Sequence, residues 1–154
     1  MLSEDERRAV EAALKNFPRR SAGSLEALRI IQDRRGWISD ESIRDVAAAT
    51  GLSPDELDGT ATFYNLIFRK PVGRHVILVC DSICCWILGH EEILDRLQLR
   101  LGIGVGETTP DGRFTLLPVC CLGACDHAPA LMVDGDLHGD LTPDKLESIL
   151  EKYE

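Results

Sequence analysis

The chain has 154 residues, of which 44% are hydrophobic and 28% are charged, and it carries a formal net charge of -9 at pH 7. This composition is typical of a globular protein with one domain, or with a small domain and a helical extension, and its acidity excludes a nucleic-acid partner because phosphate binding needs a basic surface. No apolar run approaches the roughly 18 residues of a membrane span, and the N-terminus is charged where a signal peptide is apolar, so we expect a cytoplasmic protein without direct membrane insertion.

The first half of the chain has the pattern of four consecutive helices. Ser3 and Glu6 have the spacing of a capping box, and an apolar face continues after them. Two further helices are expected at about 24–36 and 39–51, each ending at a glycine. The segment Ser53–Glu56 combines an N-cap serine, a proline at the first helical position and a glutamate placed to close a second capping box. The sequence therefore predicts an N-terminal helical bundle.

In the second half of the chain, the spacing of the apolar residues changes. The predicted elements are a strand at 75–79, a helix at about 86–100, strands at 113–119 and 130–133, and a last helix that begins at Thr142. Asp134-Gly135 after the third strand is typical of a hairpin turn. This order favours a small α/β sandwich, and thioredoxin-like folds fit it. A composition break at 69–73 divides the chain into a helical region, 1–72, and an α/β domain, 73–154.

Six cysteines form two tight clusters on predicted loops at strand ends. They are Cys80, Cys84 and Cys85 in CDSICC, and Cys120, Cys121 and Cys125 in CCLGACD. Structural disulfides are rare inside the cell, so these cysteines are better explained as metal ligands or redox groups. Two loops that each supply two thiolates make a four-sulfur site of the kind that holds zinc or an iron-sulfur cluster.

The spacing of the cysteines alone identifies neither the metal nor the four sulfurs that bind it. Cys80 and Cys85 enclose four residues, as in plant-type 2Fe-2S sites, but structural zinc pairs also span two to four residues. The lack of a Cys-x-x-Cys motif argues against a thioredoxin-type dithiol enzyme. Gly123 allows the backbone to approach bound sulfides closely, and nearby amide N–H groups can hydrogen-bond to them. Trp86 either shields the metal site or begins the buried face of its helix.

The segments around the cysteines resemble a known family over nearly the whole chain. They are LEALRIIQDRRGW (25–37), DGTATFY (58–64), RKPVGRHVI (69–77), CDSICC (80–85) and DGRFTLLPVCCLGACD (111–126). These motifs are similar to those of the small 2Fe-2S subunit, known as the E subunit, of bacterial NADH:quinone oxidoreductase, which is respiratory complex I. The resemblance implies a helical region followed by a thioredoxin-like 2Fe-2S ferredoxin domain. It also implies a ligand pair spaced by four residues and another spaced by three, which correspond to Cys80, Cys85, Cys121 and Cys125.

The resemblance implies a non-catalytic electron-transfer subunit that holds one 2Fe-2S cluster. NADH and FMN are then expected on a partner, a flavoprotein subunit that also carries a 4Fe-4S cluster. The larger complex I assembly would place the chain on the cytoplasmic side of the inner membrane. Related subunits occur in NAD-linked hydrogenases and formate dehydrogenases, and they are the first alternative. A zinc-stabilised interaction module and a thiol redox enzyme are the others.

Overall fold

A computed structural model describes residues 1–153, and the chain forms two compact units. The first unit is Met1–Pro71, and the second begins at Val72. No helix within the described residues is long and apolar enough to cross a membrane.

The first unit contains the four predicted helices. They are α1 (Glu4–Leu14), α2 (Ser24–Arg35), α3 (Asp40–Thr50) and α4 (Pro54–Phe63). The capping box of α1 is formed as expected: the Glu6 N–H donates to the Ser3 hydroxyl at 3.2 Å, and the Ser3 N–H donates to the Glu6 carboxylate at 2.7 Å. The Ser53 hydroxyl accepts from the Glu56 N–H at the start of α4. Serine caps thus define both helix starts by satisfying N–H groups that have no partner inside the helix.

A partly buried ion network ties three helices of the first unit together. The Arg35 guanidinium donates to both carboxylate oxygens of Glu6, at 2.8 and 2.9 Å, and to Asp45 at 3.0 Å. The side chains of Glu6 and Asp45 are each only 10% exposed. The hydrogen bonds from Arg35 lower the pKa of Glu6 from 4.5 to about 2. The network joins α1, α2 and α3 beside a core of apolar side chains such as Val10, Leu28 and Val46.

The second unit is a four-stranded mixed sheet with three α-helices within the described residues. The elements are β1 (His75–Cys80), α5 (Ile83–Ile87), α6 (His90–Leu101), β2 (Phe114–Val119), β3 (Leu131–Val133), β4 (Asp136–His138) and α7 (Pro143–Leu150). The strand order is β2-β1-β3-β4. β1 and β2 are parallel, whereas β3 is antiparallel to both β1 and β4. The α/β sandwich predicted from the order of elements is confirmed.

Two details of this unit differ from the sequence prediction. Two helices occupy the place of the single helix expected at about 86–100. Gly89 adopts φ +106 and interrupts the helical backbone between α5 and α6. A left-handed conformation of this kind is readily available only to glycine. The strand β4 was not predicted because its three residues are too few to show a period of two. The hairpin turn that leads into it was predicted correctly, and Asp134 there has φ 57.

The strand β1 is one of the two inner strands of the sheet, and it lies in the hydrophobic core. Ile77 and Val79 pack there with Leu116, Leu131 and helix residues of α6 and α7. Gly73 precedes β1 where the chain passes very close to β2, since a Cβ at this position would lie 2.9 Å from the Arg113 carbonyl oxygen. The sheet therefore holds both parallel strands firmly, and each of them leads into a cysteine cluster.

The Glu6 carboxylate provides a pH test of the first unit. Because its pKa is lower in the folded chain than in the unfolded chain, its stabilising contribution is present above about pH 4.5 and is lost as the pH falls toward 2. The shift corresponds to at most about 3 kcal/mol. We expect Glu6→Gln to remove much of this acid dependence from the free energy of unfolding, measured by urea titration of Trp37 fluorescence in a Trp86→Phe background.

Glu4→Gln is the matched control for Glu6→Gln. Glu4 lies on the same helix and pairs with Arg8, but its side chain is 78% exposed, so solvent screens the interaction. Its replacement should leave the acid dependence of unfolding nearly unchanged. Equal pH profiles for the Glu6→Gln variant and the unmodified chain would contradict the proposed contribution of the network.

Candidate metal centre

The parallel pairing of β1 and β2 brings the two cysteine clusters to one edge of the sheet. Cys80 is the last residue of β1, and it pairs in register with Val119, the last residue of β2. The second cluster begins immediately afterwards at Cys120. Parallel strands end at the same sheet edge, and the residues that follow them therefore meet there. The two cysteine clusters, which were predicted to lie on loops at strand ends, therefore share one edge of the sheet.

The first thiol pair is Cys80 with Cys85, and it is shielded from water. Their exposed fractions are 3% and 2%. The two residues come from different elements, since Cys80 ends β1 and Cys85 lies on α5. Ala124 and Ala130 pack against them in a small apolar cluster.

The second thiol pair is Cys121 with Cys125, and it lies at the surface. Thiol hydrogen bonds and the negative charges of neighbouring sulfurs, from Cys84 first and from Cys121 as well, raise the pKa of Cys125 to about 11. Cys84 of the first cluster therefore also contacts this pair. Cys120 is exposed.

Backbone N–H groups from both loops point at the sulfurs. Burial raises the pKa of Cys80, but hydrogen bonds from the Ser82 and Leu122 N–H groups outweigh it and lower the pKa overall. Leu122 belongs to the second loop, so this contact joins the two cysteine clusters. Gly123, where the backbone is predicted to approach bound sulfides, donates its N–H to the Cys121 sulfur at 3.3 Å. Such N–H groups stabilise thiolates, which are the form of cysteine that binds metal.

Burial dominates at Cys85 and raises the pKa of its thiol, even though the Ala130 N–H donates to its sulfur. An unligated Cys85 is therefore held in the neutral form. A bound metal reverses this preference, since a coordinating thiol is deprotonated by the charge of the ion.

The thiols at this edge lie as two pairs with different surroundings. The inner pair, Cys80 and Cys85, is buried, whereas the outer pair, Cys121 and Cys125, is exposed. Four cysteine sulfurs from two loops are the donor set of a 2Fe-2S cluster, and the same number of sulfurs holds a structural zinc ion.

Two further side chains near the thiols are Trp86, for which the sequence left two roles open, and His127. Trp86 is 56% exposed, so it does not begin a buried helix face, and its Nε1 donates to Glu91 at 3.3 Å. His127 pairs with Asp140 at 2.9 Å, and this hydrogen bond raises the pKa of the histidine. His127 is thus anchored to an acidic loop beside the second cluster.

The chain matches the family model described as thioredoxin-like [2Fe-2S] ferredoxin over residues 10–154. The chain belongs to this family. Two curated relatives are named as the E subunit of NADH-quinone oxidoreductase. The one from Pseudomonas aeruginosa is 52% identical over 153 residues, with 99% of this chain and 92% of the relative covered. The one from Escherichia coli strain K12 is 48% identical over 152 residues, with the same two coverages, 99% and 92%.

A solved structure shares the fold of this family member. The crystal structure of NAD+-reducing [NiFe]-hydrogenase in the air-oxidized state aligns with a TM-score of 0.74 and 27% identity. The alignment covers 85% of this chain but only 22% of the hydrogenase chain. Membership of the family confirms the thioredoxin-like fold and the predicted cofactor, one 2Fe-2S cluster. The names of the curated relatives confirm the resemblance to the small subunit of NADH:quinone oxidoreductase.

Gly123 provides a test of the N–H groups around the sulfurs. Its φ of +77 is costly for any residue with a Cβ, by about 1–2 kcal/mol, and its N–H donates to Cys121. We expect Gly123→Ala to weaken retention of the cluster about tenfold, measured as the rate of iron loss to a chelator, because each 1.4 kcal/mol is tenfold in an equilibrium constant.

Gly135→Ala is the matched control for Gly123→Ala. A Cβ at Gly135 meets no atom within 4 Å, and its φ is not in the left-handed region. Iron loss from this variant should equal that of the unmodified chain. If both alanine variants release iron at the unmodified rate, the backbone at Gly123 has no part in holding the cluster.

Proposed function

We propose that the chain is the electron-transfer subunit of an NADH-quinone oxidoreductase and holds a 2Fe-2S cluster beside a flavoprotein subunit. The observation that carries this proposal is the 52% identity to the Pseudomonas aeruginosa relative, which extends over 99% of the chain. The paired thiols at one sheet edge support it independently, since they bring four cysteine side chains together in a chain that belongs to a 2Fe-2S family.

The proposed ligands are Cys80, Cys85, Cys121 and Cys125. The inner pair is buried, and the outer pair is open to solvent. Cys84 and Cys120 stand next to ligands in the sequence and are proposed to be bystanders. The proposed domain organisation is a helical region, 1–72, before a cluster domain, 73–154.

The residues of the chain hold the site and control its surroundings. When bound, a 2Fe-2S cluster supplies one-electron transfer. Ala124 and Ala130 exclude water from the inner thiols, and the N–H groups of Ser82, Leu122 and Gly123 stabilise negative charge on sulfur. The chain's contribution is thus to position and tune the cluster, without a catalytic group of its own.

NADH and FMN are proposed to bind to the partner, a flavoprotein subunit that also carries a 4Fe-4S cluster. The larger assembly is proposed to be complex I, which would hold the chain peripherally on the cytoplasmic side of the inner membrane. The curated relatives' name supports a quinone-linked complex. The absence of a Gly-x-Gly-x-x-Gly sequence agrees with nucleotide binding on the partner.

The second candidate function is the corresponding subunit of an NAD-linked hydrogenase. The structural match to NAD+-reducing [NiFe]-hydrogenase favours it, with a TM-score of 0.74. The identity in that comparison is 27%, against 52% for the Pseudomonas aeruginosa relative, and the curated relatives span nearly the same length as this chain. These differences favour the quinone-linked function.

Purification of the tagged chain from its host distinguishes the two functions. We expect an NADH-binding flavoprotein and membrane subunits to co-purify with the tagged chain. The purified material should oxidise NADH in a reaction that depends on added quinone. A host that carries the untagged chain is the control. Hydrogen-dependent reduction of NAD+ by the purified material, without quinone-linked activity, would replace the first proposal by the second.

Serine substitutions test the proposed ligands. We expect Cys85→Ser and Cys121→Ser to change or abolish the visible sulfur-to-iron bands of the anaerobically purified chain, because each removes a thiolate. Cys84→Ser and Cys120→Ser are matched controls, since each changes the adjacent residue, and they should leave the bands nearly unchanged. For each variant we also measure the iron content, the acid-labile sulfide content and the paramagnetic signal of the reduced protein. The reverse pattern would reject this ligand set, and a colourless zinc protein would reject the cluster itself.

A further inference from the structure

The connection between β4 and α7 lies against the loop that follows Cys125. We call residues 139–141 of this connection the clamp. The residues that the clamp contacts are 127–129, and they begin two positions after Cys125 in the sequence. The clamp is therefore a neighbour of the metal centre that the proposed ligand set does not include.

Two main-chain hydrogen bonds join the clamp to this loop. The Asp140 N–H donates to the His127 carbonyl oxygen at 2.6 Å, and the Leu141 N–H donates to the Pro129 carbonyl oxygen at 3.1 Å. Each bond gives a partner to a backbone group that would otherwise need water. Because the bonds hold the loop at two positions, they restrain its direction as well as its place.

Gly139 allows the two segments to come into direct contact. A Cβ at this position would lie 2.5 Å from the His127 Cβ and 2.8 Å from the His127 carbonyl oxygen. The φ of Gly139 is not in the left-handed region, so the need for glycine comes from this neighbour and not from the backbone conformation. Any side chain here must push His127 away from the clamp.

Asp140 adds a side-chain contact with the same loop. One carboxylate oxygen of Asp140 lies 2.9 Å from Nδ1 of His127. Asp140 has φ 50, a left-handed conformation that aspartate adopts more readily than most residues. The two side chains are 60% and 62% exposed, so solvent screens their interaction and the main-chain bonds supply most of the restraint.

The clamp itself is fixed to the body of the second unit. Leu141 is buried in the hydrophobic core with Leu146 and Ile149 of α7. Lys145, also on α7, donates from Nζ to the Asp140 carbonyl oxygen at 2.7 Å. A loop that is bonded to the clamp is thus tied to the core of the sheet.

The loop held by the clamp connects the two thiol pairs. At one end, Cys125 of the outer pair begins the short turn Cys125–His127. At the other end, Ala130 packs against Cys80 and Cys85, and its carbonyl oxygen accepts from the Cys80 N–H at 3.2 Å. His127 is two residues from Cys125 and three from Ala130, so a displacement of His127 reaches both pairs.

We propose that Gly139 and Asp140 are positioning residues of the metal centre, because the clamp fixes the place of the outer thiol Cys125 relative to the inner thiol pair. The proposal rests on the proposed ligand set, in which Cys125 binds the cluster. A metal centre keeps its ligands in place through the groups behind them, and small shifts of those groups change metal affinity. The clamp acts through the loop 127–129 and supplies no ligand.

Gly139→Ala tests the close approach. The iron-loaded variant is compared with the unmodified chain by visible circular dichroism, which reports the arrangement of sulfur around iron, and by the rate of iron loss to a chelator. We expect a changed dichroism spectrum and at least about tenfold faster iron loss, because the new Cβ displaces His127. Gly135→Ala is the matched control, since a Cβ there meets no atom within 4 Å, and it should match the unmodified chain.

Substitutions of Asp140 separate position from charge. Asparagine and glycine both adopt the left-handed conformation, but only asparagine keeps a side chain that hydrogen-bonds to His127. We expect Asp140→Asn to retain the dichroism spectrum, and Asp140→Gly to change it and to release iron about threefold faster.

Asp126→Asn is the charge control for the Asp140 variants. Asp126 follows Cys125 directly, and its carboxylate lies 3.5 Å from Nε2 of His127. Loss of this negative charge should raise the reduction potential of the cluster. The dichroism spectrum and the rate of iron loss should stay those of the unmodified chain, because the main-chain bonds of the clamp are untouched.

The clamp and the ligand assignment fail on different results. Unmodified dichroism and iron loss in Asp140→Gly and Gly139→Ala, or an equal change in Gly135→Ala, would overturn the clamp. A lower temperature of thermal unfolding with an unmodified spectrum would also overturn it, since that result indicates a role in folding alone. If Gly139→Ala does not fold, Asp140→Gly decides, because it introduces no overlap. If Cys125→Ser keeps the unmodified visible bands, the proposed ligand set fails, and the clamp fails with it.

Discussion

The parallel pairing of β1 with β2 is the constraint on which the metal centre depends. Cys80 and Val119 are paired residues at the ends of these strands, so the loops that follow leave the sheet at the same edge. The Leu122 N–H then reaches the Cys80 sulfur across the two loops. Without this register, thiols about forty positions apart in the sequence would not form one site.

The two thiol pairs lie in contrasting surroundings. Cys80 and Cys85 are enclosed by apolar groups, whereas Cys121 and Cys125 are exposed. The inner pair holds the site in place among apolar groups that exclude water. The outer pair leaves one side of the site close to the protein surface. A redox centre needs both features, because protection from water stabilises it and access to the surface permits exchange with a partner. The helix α5 combines them, since Cys85 faces inward and Ile87 faces solvent.

Sequence patterns predicted the elements that carry strong local signals. The caps at Ser3 and Ser53, the buried strand at 75–79 and the turn at Asp134-Gly135 all lie where they were expected. The break at Gly89 was missed, because a single glycine within an apolar pattern looks like a tolerated helix residue until its φ is known. The three residues of β4 were missed because their pairing with β3 comes from tertiary contact and not from periodicity.

The sequence by itself determined the type of site, since two cysteine clusters in the motifs of a known family specify thiolate ligands and an iron-sulfur cofactor. It also determined the acidity of the chain, because charge is a property of composition. Only the tertiary structure decided which thiols are buried, which N–H groups reach them and which side of α5 faces solvent. Those properties depend on strand register and on the contacts of Leu122, Ala124 and Ala130, which lie far from Cys80 along the chain and come beside it only when the sheet forms.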